Sequence, residues 1–154
     1  VTEDAAADQL TIVIKDNGRG MTGEQVRRVS DPFYTTRTTR KVGMGIPLFR
    51  LAAQMAGGNL EMASAPGRGT CVTATFGLSH IDRMPLGDMR DTMLTLSRLN
   101  PSLDFVYTYG RDGDGWRLDT RELRRVLDDV PLDTPEVLEW IKEYWEEQSG
   151  HAGA

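Results

Sequence analysis

Apolar and polar residues alternate through LTIVIKD, residues 10–16, and this period of two with β-branched side chains predicts a half-buried strand. NGRGMTG then turns the chain, and GEQVRRV, residues 23–29, predicts a short helix. SDPFYTTRTTRKVGMG, residues 30–45, follows neither period and predicts a loop long enough to suggest function. In GIPLFRLAAQMAGG, residues 45–58, Leu48, Leu51, Ala52 and Met55 recur at helical spacing, Pro47 stands in the first turn, and Gly57 and Gly58 supply a stop. NLEMAS and TCVTATF predict two strands around APGRG, a turn of residues that tolerate tight backbone angles. The first half therefore runs strand, helix, loop, helix, hairpin.

The second half changes pattern. LGDMRDTMLTLSRLN, residues 86–100, places Leu86, Met89, Met93 and Leu96 at helical spacing, and LDFVYTYGRDGDGWRLDT predicts two strands around an Asp/Gly turn. Asp119 or Thr120 with Glu122 starts a helix bearing Leu123, Val126, Leu127 and Val130. Thr134 and Pro135 start another, bearing Val137, Leu138, Ile141 and Tyr144. DGDGWRLDTREL brings a calcium loop to mind, but counting from Asp112 puts Trp116 fifth, Arg117 sixth and Leu123 twelfth, which breaks the ligand rule and leaves a turn. The Met and Trp residues of these helices are expected to be core rather than a docking groove.

Composition bounds the function classes. The 154 residues, 39% hydrophobic, can bury one core or a core with a small annex. No apolar run approaches a membrane span and no secretion leader is recognised, so a cytoplasmic setting is expected. Lone Cys71 lies in an alternating strand pattern and is expected to be a core thiol. Residues 1–79 hold nine Lys/Arg against seven Asp/Glu, and residues 80–154 hold nine against sixteen, together the net charge of −5. This acidity, without a basic stripe interleaved with aromatics, argues against a nucleic-acid partner. The SGHAGA tail is expected to fray.

Two glycine clusters carry candidate chemistry. Gly18, Gly20 and Gly23 fit G-x-G-x-x-G between a strand and a helix, yet no second parallel strand ending in an acid follows, so a dinucleotide fold is disfavoured, and no phosphate-loop lysine motif exists. Gly43, Met44 and Gly45 stand immediately before a helix, where free N–H groups and the positive end of the helix dipole suit an anion. Arg37, Arg40 and Lys41 just upstream could close over a polyphosphate. Each cluster alone reads as a turn; together they predict a base held at one end and phosphates at the other.

The ordered segments Asp16-Asn17-Gly18-Arg19-Gly20-Met21, Asp31-Pro32-Phe33-Tyr34-Thr35-Thr36-Arg37, Val42-Gly43-Met44-Gly45-Ile46 and AGGNLEMASAPGRGTCVTATF resemble the G1, F, G2 and G3 boxes of the GHKL ATPases. The resemblance is to the ATP-binding domain of sensor histidine kinases and covers residues 10–77. It implies a two-layer α/β sandwich of the histidine kinase-like ATPase type, N-terminally incomplete, over residues 1–79, to which the residue pattern adds a small α+β module over 80–154. It further implies that Asp16 accepts a hydrogen bond from the adenine amine, supported by Thr70, and that Gly18 and Gly20 let the backbone pass close to the adenosine. Gly43, Met44 and Gly45 would cradle the phosphates with Arg37 and Lys41, while Phe33 and Tyr34 would hinge a lid.

The family's N box, an Asn-bearing helix that holds Mg²⁺, has no counterpart in VTEDAAADQ, residues 1–9, where Glu3 and Asp4 precede a linker-like stretch that leads straight into the strand. The expectation is a longer natural protein, or a copy that has lost chemistry, because Mg²⁺ neutralises and templates the triphosphate. HIDRMPL, residues 80–86, echoes a phosphoacceptor segment, but His80 follows the last strand where Pro85 disfavours a helix, so a linker histidine is expected; His151 lies in the tail. The function expected is ATP binding for phosphoryl transfer to a protein. The alternative is a non-catalytic, nucleotide-responsive scaffold that contacts a protein partner through its lid and acidic module. An exposed sheet edge would favour a homodimer.

Overall fold

The computed structural model describes residues 1–29, 43–128 and 130–151, the side chain of His151 excepted. It forms two compact units, residues 2–84 and residues 85–154 together with Val1.

In the first unit the strands are β1 (Thr2–Asp4), β2 (Gln9–Asp16), β3 (Leu60–Ala65) and β4 (Gly69–Gly77), and the helices are α1 (Gly23–Arg28) and α2 (Gly45–Met55). The strands form an antiparallel sheet in the order β3-β4-β2-β1. Strand β1 goes unread in the sequence: Thr2 pairs with Thr11 and Asp4 with Gln9, and the linker-like stretch that follows is a turn. Three polar residues carry no alternation, so only the partner strand reveals them. The α1 start is a capping box, with Gln25 N–H donating to Thr22 Oγ1 at 3.3 Å and Thr22 N–H donating to Gln25 Oε1 at 2.8 Å.

The register fixes which residues share a face. Leu10 opposes Phe76, Ile12 opposes Ala74, Ile14 opposes Val72 and Asp16 opposes Thr70, while Leu60, Met62 and Ser64 continue the rows on β3. Helix α1 packs on β3, and α2 packs on β3 and β4, giving two layers. The buried residues are Leu10, Ala53, Ala56, Leu60, Val72, Ala74 and Phe76. On α2 the buried stripe is not the one read from spacing. Phe49 meets Phe76 with ring centroids 6.0 Å apart and Ala53 is fully buried, whereas Leu48, Leu51 and Met55 are each more than half exposed. Two apolar stripes run along this helix, and the small Ala53 lets the backbone approach the sheet more closely than a leucine stripe would.

In the second unit α3 (Met89–Leu99) precedes a hairpin of β5 (Val106–Arg111) and β6 (Asp114–Asp119), followed by α4 (Thr120–Leu127) and α5 (Pro135–His151). The Asp/Gly segment is the hairpin turn, with Arg111 opposite Asp114 and positive φ at Asp112 and Gly113. Asp119 caps α4, its Oδ1 accepting from Arg121 N–H at 3.0 Å. Tyr107, Trp116 and Trp145 form an aromatic core, with Trp145 4.6 Å from each of the other two rings. Trp140 departs from the expected core role and stays 47% exposed. Among the described residues no helix is long and apolar enough to cross a membrane.

Candidate active site

Asp16 ends β2 and is exposed. Its Oδ1 accepts from the Gly18 N–H at 2.8 Å, which bends the chain away from the strand and fixes the carboxylate. Among the described residues Oδ2 has no partner, so one acceptor remains available. The loop then presses against the β3–β4 hairpin. Gly20 has φ +66, and a Cβ there would lie 1.9 Å from the Ala65 carbonyl oxygen; Gly69 has φ +78, and a Cβ would lie 2.0 Å from the Asp16 carbonyl oxygen. Gly67 N–H donates to the Arg19 carbonyl at 2.8 Å, completing this backbone-to-backbone seam.

Ser64 is the member that sequence reasoning missed. Its hydroxyl oxygen accepts from Met21 N–H at 2.9 Å, lies 2.9 Å from the Gly69 carbonyl and stands 3.0 Å from Thr70 Oγ1. It therefore ties together the loop after β2, the hairpin and Thr70, which opposes Asp16 in the register. The Thr70 hydroxyl is engaged with Ser64 in this arrangement. A serine near a turn carries no spacing signal, so only the folded sheet could reveal it. An open cleft of about 280 Å³ runs past these groups, lined by Lys15, Asp16, Ser64, Arg68 and Thr70 among others.

The second glycine cluster lies at the start of α2. Met44 is the N-cap and makes no side-chain cap, so the first N–H groups of the helix are not taken by a side chain of the N-cap. Pro47 contributes no N–H, leaving those of Gly45 and Ile46. A Cβ on Gly45 would meet nothing within 4 Å. Gly43 precedes the cap outside any regular element. Phe33, Tyr34, Arg37, Arg40 and Lys41 lie outside the described residues. Among the described residues no group of three or more His, Cys, Asp or Glu is placed to hold a metal ion. His80 is folded into the turn after β4: its Nδ1 accepts from Asp82 N–H at 3.2 Å and its ring packs beside Gly57.

Comparison with known proteins places this geometry. Residues 1–80 match the family described as histidine kinase-, DNA gyrase B-, and HSP90-like ATPase. The sensor protein kinase FleS of Pseudomonas aeruginosa is 38% identical over 87 residues, 56% of this chain and 21% of that protein. The non-motile and phage-resistance protein of Caulobacter vibrioides is 33% identical over 88 residues, 54% of this chain and 10% of that protein. Sporulation kinase E of Bacillus subtilis is 35% identical over 69 residues, 45% of this chain and 9% of that protein. The chain thus spans between about a tenth and about a fifth of the length of these relatives. The family match takes in all four strands of the first unit and both of its helices, and on that footing the chain belongs to the histidine kinase-, DNA gyrase B-, and HSP90-like ATPases.

Proposed function

We propose that the first unit binds adenine nucleotide, Asp16 reading the base and the Gly43–Gly45 segment receiving the phosphates, as the ATP-binding part of a signalling kinase or ATPase. The observation that carries this reading is the Asp16 carboxylate, held at one oxygen by Gly18 N–H, while the other, with no partner among the described residues, can accept the amine of adenine. The guanine oxygen at that position would face a second acceptor, which gives the selectivity. Gly45 supports the phosphate end: among the described residues a Cβ there would meet nothing within 4 Å, which leaves room for a group brought in from outside. Arg37 and Lys41 would add charge to the phosphates, Phe33 and Tyr34 would hinge the lid, and Thr70 would support Asp16.

Mg²⁺ enters this reading only as the ion that accompanies the nucleotide. Several relatives are named as sensor kinases, and by that likeness the γ-phosphoryl would pass to a protein, in a cytoplasmic homodimer. A non-catalytic, nucleotide-responsive scaffold that contacts a partner is the second reading.

Titration calorimetry of this chain with ATP and with GTP, each with and without Mg²⁺, tests the reading. The expected result is binding selective for ATP that Asp16→Asn weakens by about 10–100-fold, the worth of a hydrogen bond to a charged group. Equal binding of GTP, or an Asp16→Asn protein with unchanged affinity, would overturn it. Selective binding without turnover would favour the scaffold.

A further inference from the structure

Between α4 and α5 of the second unit lies a groove of about 350 Å³. Leu118 of β6, Leu123 and Leu127 of α4, and Val137 of α5 make its floor. Its walls are unusual for a surface. Val126 is 84% exposed, and Trp140 is 47% exposed and stacks on Tyr144 with ring centroids 5.4 Å apart and planes 15° from parallel. The Tyr144 hydroxyl donates to the Arg117 carbonyl at 3.1 Å, which anchors that stack. A half-exposed, pre-stacked tryptophan beside an apolar floor is the kind of group on which protein contacts concentrate.

The charge around the groove says what covers it. Glu122 lines the groove on the α4 side. Glu136, Trp140 and Glu143 recur at i, i+4 and i+7 on α5, so carboxylates flank the tryptophan along the opposite lip. Helix α5 carries five glutamates against Lys142 alone among its Lys/Arg. The two arginines near the mouth, Arg117 and Arg121, share the single Asp119 carboxylate, and Arg125 stands three residues from Glu122 on α4. The groove is therefore apolar at its base and negative along its α5 lip.

We propose that this groove docks a basic amphipathic helix of a partner protein. Large aliphatic side chains of that helix would fill the floor, and its lysines or arginines would lie over the Trp140 face and against Glu122, Glu136 and Glu143. The volume stands at the low end of ligand-sized sites, roughly 300–1,000 Å³, and suits a few side chains. This inference is independent of nucleotide binding by the first unit.

Fluorescence anisotropy on the full chain tests it, with a labelled amphipathic peptide of leucine and lysine and its counterpart carrying glutamate for lysine. The lysine peptide is expected to bind and the glutamate peptide not to. Val126→Lys should weaken binding by at least about tenfold, the loss of one well-buried contact point. Glu122→Gln should also weaken it. Glu61→Gln, which alters net charge equally but lies on β3 of the first unit and not in the groove lining, should change it by less than about twofold. Val126 and Glu122 are exposed, and thermal melting verifies that the variants fold. Absence of binding, equal binding of the glutamate peptide, or equal weakening by Glu61→Gln would overturn the proposal. A concentration-dependent dimer that Val126→Lys dissolves would overturn it too, in favour of a second copy as the occupant.

Discussion

A Cβ on Gly20 would stand 1.9 Å from the carbonyl oxygen of Ala65, so the loop after β2 and the end of β3 meet backbone to backbone. Gly20→Ala must therefore open this seam and also hold an L-residue at φ +66, which by itself costs about 1–2 kcal/mol. The expected outcome is a fall in thermal midpoint of several degrees or more, together with loss of ATP binding. Gly45→Ala is the contrasting change: its Cβ meets nothing within 4 Å, and a helical alanine is favoured by up to about 1 kcal/mol. Its midpoint should hold or rise while its ATP affinity falls. Melting curves and calorimetry on both proteins check the pair, and a Gly45→Ala protein with full ATP affinity would remove Gly45 from the phosphate site.

Helix α2 offers a test of which stripe holds the first unit together. Phe49 packs on Phe76, and its truncation to alanine should cost about 2–3 kcal/mol, near the lower end for a large aromatic side chain. Leu51, 52% exposed, should tolerate glutamine with a change of less than about 0.5 kcal/mol. Urea titrations of the two variants give the comparison directly.

The second unit should show an acid-sensitive element at Asp119. Its side chain is 2% exposed and lies between Arg117 and Arg121. The hydrogen bond from the Arg121 side chain, with further help from Arg121 N–H and Arg117, holds its carboxyl well below the usual carboxylate range, although burial alone would raise it. Because the folded value is lower than the unfolded value of 3.8, the resulting stability is complete above that pH and is lost as pH falls toward the folded value. Asp119→Ala should cost on the order of 1–2 kcal/mol at neutral pH through loss of the helix cap. The gap from wild type should narrow below pH 3.8. Urea melts across this range measure it, and a gap that stays constant would remove the carboxylate charge from the account.

Local pattern made most elements legible, because each carries its own period or cap: the alternation of residues 10–16, Pro47 and the Gly57–Gly58 stop around α2, and the Asp119 or Thr120 start of α4. The pattern could not choose between the two apolar stripes of α2, since Leu48/Leu51/Met55 and Phe49/Ala53 both recur at helical spacing and only the sheet decides which packs. It also missed β1, whose three polar residues owe their strand to β2. At the candidate site, Asp16, Gly18, Gly20 and Thr70 were legible from their ordered motifs, and the structure brings them together. Ser64 was not, because its role comes from three hydrogen-bond neighbours distant in sequence. Trp140 was read as core because periodicity reports a helix face without reporting how fully that face is covered.

The pairing of Asp16 with Thr70 makes the candidate site conditional on one strand alignment. Sliding β2 by a single residue along β4 would preserve much of the backbone ladder but swing Asp16 to the opposite surface and turn Val13 toward the helices. A misaligned sheet would thus be blind to any ligand that needs Asp16 beside Thr70. Such a ligand, by binding only the correct alignment, would draw the population toward it in proportion to its concentration. Nucleotide would then act as a proofreader of the sheet that holds it.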